Sequence, residues 1–162
     1  MKKLISVVVL ALVIVLTMSV SVFAADTEIN NGTVNKNGNT NVTYTVAPTY
    51  TVTIPESVIL GSTATVSAEN VVLEKGNQVV VKLTDTSEDD NAFKVKCADE
   101  ALTYTVKNGE TTVNINDTVL TVNPASSASG STTLSFSEPE NVKYAGTYAG
   151  TVTFTVSVES AS

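Results

Sequence analysis

The run from Thr147 to Val158 reads as the longest strand of the chain, with Val152, Phe154, Val156 and Val158 alternating with Thr151, Thr153, Thr155 and Ser157. A period of two sends successive side chains to opposite faces of an extended strand and cannot build the apolar stripe of a helix. The same pattern recurs. Val42, Tyr44 and Val46 alternate with Thr43 and Thr45, and Tyr50, Val52 and Ile54 alternate with Thr51 and Thr53 until Pro55 ends the run. Val79, Val81 and Leu83 share a face, as do Phe93, Val95 and Cys97, and Leu134 with Phe136. Shorter candidates lie at 58–60, 63–68, 71–73 and 118–122.

Turn chemistry separates these runs. Glu74-Lys75-Gly76-Asn77, Asn116-Asp117 and the Ser/Ala/Gly segment 123–130 read as connections. Asn108-Gly109, between Leu102-Tyr104-Val106 and Val113-Ile115, predicts a tight hairpin. Nine or ten short strands at this spacing predict an all-β, antiparallel β-sandwich with one face of each sheet buried and one wet. Threonine suits the wet faces, because its branched Cβ fits the pleat and its hydroxyl tolerates water.

The first 25 residues follow different rules. Lys2 and Lys3 precede an apolar run from Leu4, and Val22-Phe23-Ala24 has the small-x-small pattern of a signal-peptidase site. This is the layout of a secretory leader, and it predicts a secreted or extracellular chain, retained at the cell surface or released. Residues 4–22 also approach the roughly 20 residues that span a bilayer, so an uncleaved anchor is the alternative, and the leader would then be the only membrane contact. The expected organisation is a leader over 1–25, a flexible lead-in rich in Asn, Gly and Thr over 26–41, and one sandwich domain over 42–162.

Without its leader the chain keeps seven Lys, no Arg and all sixteen acidic side chains. So negative a domain has no cationic footprint for phosphates, which excludes nucleic acid as an expected partner. Histidine is absent, which removes Ser-His and Cys-His nucleophilic pairs and the side chain best suited to proton transfer near neutral pH. The single Cys97 can form neither an intrachain disulfide nor a thiolate metal cluster, and its spacing points it inward. Paired carboxylates could cleave a glycoside, but the acidic residues fall mostly in loops and no Trp offers a sugar platform. The expectation is no enzyme, no catalytic residue and no cofactor.

One weak metal candidate remains. Asp85, Glu88, Asp89 and Asp90 lie within six residues and could offer oxygen ligands to calcium, although the spacing differs from the twelve-residue calcium loop. A solvated loop is the plainer reading. Tyr44, Tyr50 and Tyr104 are in phase with Val and Ile and are expected in or beside the core, whereas Tyr144 precedes the final strand and could be exposed; the sequence does not say which tyrosines are.

Tyr50-Thr51-Val52-Thr53-Ile54-Pro55 and the stretch from Tyr144-Ala145-Gly146-Thr147-Tyr148 to Phe154 resemble opening and closing strands of secreted β-sandwich surface proteins of Gram-positive bacteria. The closing stretch is also similar to the last strand of some fimbrial subunits. Ala145-Gly146-Thr147-Tyr148 resembles the tyrosine corner of immunoglobulin-like domains, with Tyr148 as the corner residue and Gly150 where antibody domains carry a cysteine. A corner tyrosine normally precedes two further strands, and here one follows. The resemblance implies an immunoglobulin-like sandwich of about 8–10 strands. It also implies a structural or adhesive role at the cell surface, with a protein, a glycan or another copy of the chain as partner. Self-assembly by strand pairing is one form of that role, and a carbohydrate-binding module or accessory domain is the alternative.

Overall fold

A computed structural model describes residues 27–34, 36–86 and 92–161. The expected leader and most of the acidic loop lie outside these residues. The described chain is all-β, with ten strands: β1 (Thr49–Thr53), β2 (Thr63–Val72), β3 (Asn77–Thr86), β4 (Lys94–Cys97), β5 (Glu100–Thr103), β6 (Val106–Asn108), β7 (Thr111–Val113), β8 (Thr118–Val122), β9 (Gly130–Phe136) and β10 (Val152–Ser160).

These strands form a β-sandwich in which every pairing is antiparallel. One sheet has five strands in the order β1-β2-β9-β6-β7, the other three in the order β10-β3-β8, and β4 and β5 form a separate hairpin. The facing surfaces supply one core. Val66 and Ala68 of β2, Val79, Val81 and Leu83 of β3, Val106 of β6 and Leu134 of β9 have no exposed surface. Burial of this kind is worth about 1.5–3 kcal/mol for each large aliphatic side chain, and it holds together a chain that has no disulfide. Asn108 ties the layers by a polar route: its amide Nδ2 donates to the Val119 carbonyl of β8 at 2.9 Å, and its Oδ1 accepts from Thr132 Oγ1 of β9 at 2.7 Å.

Strand boundaries follow local conformation. Gly76 takes a φ of 88° in the β2–β3 connection, where a side chain would be strained. The expected hairpin forms between β6 and β7, with Asn108 opposite Thr111, so the turn centres on Gly109-Glu110 with Gly109 at a φ of 59°. A positive φ at the first central residue alone fits a II′-type turn, which favours Gly there. The 63–68 and 71–73 runs merge into β2, and the pairing to β1 shifts register between Thr49 and Thr51, opposite Asn70 at a φ of 54°.

Several expectations need correction. The short candidate at 58–60 forms no strand, because Pro55 has already turned the chain out of the sheet, and the closing strand starts at Val152 and not at Thr147, since 147–151 docks on β4 through one isolated bridge at Ala149. The alternating segment 42–46 forms no strand: Val42 and Tyr44 are each 90% exposed and Val46 57%, so Tyr44 is not a core residue. Alternation supplies an amphipathic ribbon but no partner, and Pro48 interrupts the chain before β1 begins. The run around Tyr104 is also divided. β5 pairs with β4, whereas β6 pairs with β7 and β9, and the break falls at Tyr104-Thr105.

Candidate functional site

A cleft of about 830 Å³ opens between the sheets, beside the start of β10. Its floor is core: Ala64 and Val66 from β2, Phe136 from β9 and Phe154 from β10. Its walls are two irregular segments, 55–60 and 139–151. Pro55 ends β1 and turns the chain out of the sheet, because the ring fixes φ and removes a ladder donor. The first wall then returns through Gly61, whose amide donates to the Phe136 carbonyl at 2.9 Å while the Phe136 amide donates to Ser62 at 3.0 Å.

The second wall is anchored at Tyr148. Its hydroxyl donates to the Tyr144 carbonyl at 3.0 Å, a side-chain-to-backbone closure over four residues. Next to it Ala149 and Lys96 exchange both backbone hydrogen bonds, at 2.8 and 3.0 Å, which docks the segment on β4. Loss of hydration raises the Tyr148 pKa above the usual phenol value, and the nearby Cys97, Glu100 and Tyr144 add to the effect. Half-buried Cys97 lies against this wall, where a Cβ built on Gly146 would stand 2.6 Å from its Sγ.

Tyr104 stands deeper, with ring centroids 5.7 Å from Phe93 and 6.3 Å from Phe136. Burial raises its pKa, so the phenol stays neutral through ordinary pH. The exposed rim carries Ile59, Val142 and Tyr144, each more than half exposed. Of the residues lining the cleft only Glu56 bears a carboxylate, and none is basic. Such a surface can desolvate an apolar or aromatic group and offer phenolic hydroxyls at its edge. It does not bring two carboxylates together across a bond.

Of the four metal candidates only Asp85 falls among the described residues. The Asp85 Oδ1 accepts from the Thr86 amide at 2.8 Å, and Glu88, Asp89 and Asp90 lie outside the described residues. Among the described residues no three Cys, Asp or Glu side chains cluster as metal ligands. Tyr144 is exposed, Tyr104 is buried, and Tyr50 is half-buried. The cleft itself was missed by sequence reasoning. Its signal was the apolar run Val58-Ile59-Leu60, which reads as a short strand in the sequence and forms an irregular wall between Pro55 and Gly61. No family model, curated protein or solved structure matches the chain.

Proposed function

We propose that the chain is a non-enzymatic secreted or cell-surface structural and adhesive module. The observation that carries this reading is the apolar, tyrosine-rimmed cleft with one carboxylate on its wall. Affinity at such a surface comes from apolar area removed from water, with the rim tyrosines orienting the ligand. The leader-like start of the sequence supports export, and the absence of His and Arg narrows the chemistry open to the chain.

The test uses an environment-sensitive apolar dye and a panel of ester, peptide and glycan substrates. Purified chain is expected to bind the dye in the cleft, Ile59→Asp and Tyr144→Ala are expected to weaken that binding, and no substrate is expected to turn over. Hydrolysis by a homogeneous sample, or dye binding indifferent to both substitutions, defeats the proposal.

A carbohydrate-binding role is the second reading, favoured by Tyr144 at 58% exposure, joined to Tyr148 by its hydrogen bond. Exposed phenol faces can stack on sugar rings. A glycan array read with and without chelator decides it, and silence in both conditions removes it.

A further inference from the structure

The three-stranded sheet ends on an uncovered strand. β10 is nine residues long and pairs only with β3, and among the described residues its far edge has no backbone partner over Val152–Ser160. Edge strands are commonly shielded by charge, proline or brevity. β10 has none of these from Val152 to Val158; its single charge is Glu159. Its inward row is also poorly covered: Val152, Phe154 and Val156 are only half-buried and Val158 is 42% exposed. The inward Val79, Val81 and Leu83 of β3, next door, are fully buried. At the other edge of the same sheet, Leu120 and Val122 of β8 are 8% and 3% exposed, so being an edge strand does not by itself leave an inward row half-bare.

The same chain carries a strand-forming segment without a sheet. In residues 41–47, Val42, Tyr44 and Val46 alternate with Thr43 and Thr45, no residue is charged, and the two leading apolar side chains are each 90% exposed. Its pattern matches β10 residue for residue: apolar side chains on one face and threonines on the other. Neither segment places a charge against the other, so pairing escapes the repulsion expected between copies of a net-negative chain. In its own molecule the segment stands clear of the body, tethered to β1 through Pro48.

We propose that residues 41–47 of one copy add as a fourth strand to the open edge of β10 in the next copy. This rests on the structural and adhesive reading and names the partner as a second copy of the chain. Val42, Tyr44 and Val46 then extend the inward row of Val152, Phe154 and Val156, while Thr43 and Thr45 join Thr153 and Thr155 on the wet face. Donor and acceptor are different surfaces, so the contact is head-to-tail, and it repeats without end wherever the rotation between copies does not close a ring. The product is a linear series whose length grows with concentration.

Sedimentation velocity of the purified full chain over a wide concentration range tests this. Open-ended growth is expected, and the double variant Val42→Lys, Tyr44→Asp is expected to weaken it by about tenfold or more. In dilute solution, where copies do not meet, its melting temperature is expected to equal that of wild type, because both positions are then exposed. Paired cysteines fix the contact: chains with Thr43→Cys mixed with chains with Thr155→Cys are expected to form an intermolecular disulfide, with the wild-type chain and its Cys97 as the blank. Three results overturn the proposal: a wild-type chain that stays monomeric at high concentration, growth indifferent to the double variant, or an intrachain disulfide in diluted chains carrying both cysteines. A wild-type chain that binds the dye yet stays monomeric refutes the inference and leaves the adhesive reading standing, and a wild-type chain that assembles yet binds no dye does the reverse.

Discussion

A methyl group on Gly150 would overlap the backbone carbonyl oxygen of Lys94. The segment before β10 therefore lies flat on β4, with Ala149 and Lys96 hydrogen-bonded beside it, and the position tolerates no Cβ. A carbonyl held in a ladder cannot step aside as a flexible side chain can. Gly150→Ala is expected to destabilise the fold by about 1–3 kcal/mol, the usual cost of overpacking. Urea unfolding checks it, and a midpoint within error of wild type would show that the wall is loosely docked.

The opposite sign is expected one hairpin away. Ala98 holds a φ of 51° at the turn between β4 and β5, where Cys97 faces Glu100. A left-handed backbone costs a residue with a Cβ roughly 1–2 kcal/mol, partly offset in glycine by greater freedom of the unfolded chain. Ala98→Gly is therefore expected to stabilise by up to about 1 kcal/mol. Thermal unfolding reads the result, and a lower melting temperature contradicts the turn geometry.

Asn108 joins β6 to β8 and β9 through two hydrogen bonds. In Asn108→Ala the Val119 carbonyl loses its donor in a partly buried setting, at an expected cost of about 1–3 kcal/mol. Asn108→Asp retains an acceptor for Thr132 but no donor for Val119, so it is expected to recover little. Equal stability of all three proteins would show that the tie is idle.

Acid is expected to loosen the β3–β10 pair. Glu159 accepts from Lys82 Nζ at 2.8 Å and from Ser157 Oγ at 2.9 Å, and these hydrogen bonds, the Lys82 one first, hold its pKa below the ordinary carboxylate value. A depressed pKa means the contribution is complete above the unfolded-state value and disappears as pH falls through the folded one. Both side chains are partly exposed, so the effect is small and screened by salt. Melting temperatures followed from neutral pH into acid are expected to converge for wild type and Glu159→Gln, and parallel curves contradict the assignment.

Much of this architecture is legible in the residues. Period two gives the strands, Asn108-Gly109 gives the β6–β7 hairpin, and Val79, Val81 and Leu83 mark the buried face of β3. Alternation is a local property, however, and partners are not. Residues 42–46 carry the same signal as β1 and find no ladder, because a strand forms only where another offers its backbone. The cleft is illegible for a related reason: its walls are irregular segments held by Tyr148, Ala149 and Gly61, whose contacts span from four to some seventy-five residues of sequence. Strand phase says nothing about such contacts.

Assembly through residues 41–47 requires β10 to be an open edge. Amide hydrogen exchange, followed by NMR in dilute solution where copies do not meet, tests this directly. Protection is expected at consecutive residues Val79, Val80 and Val81 of β3, which is paired on both sides, and only at alternate residues along β10, where every second amide points to water. Unbroken protection from Val152 to Ser160 would show an edge already covered and would contradict the account.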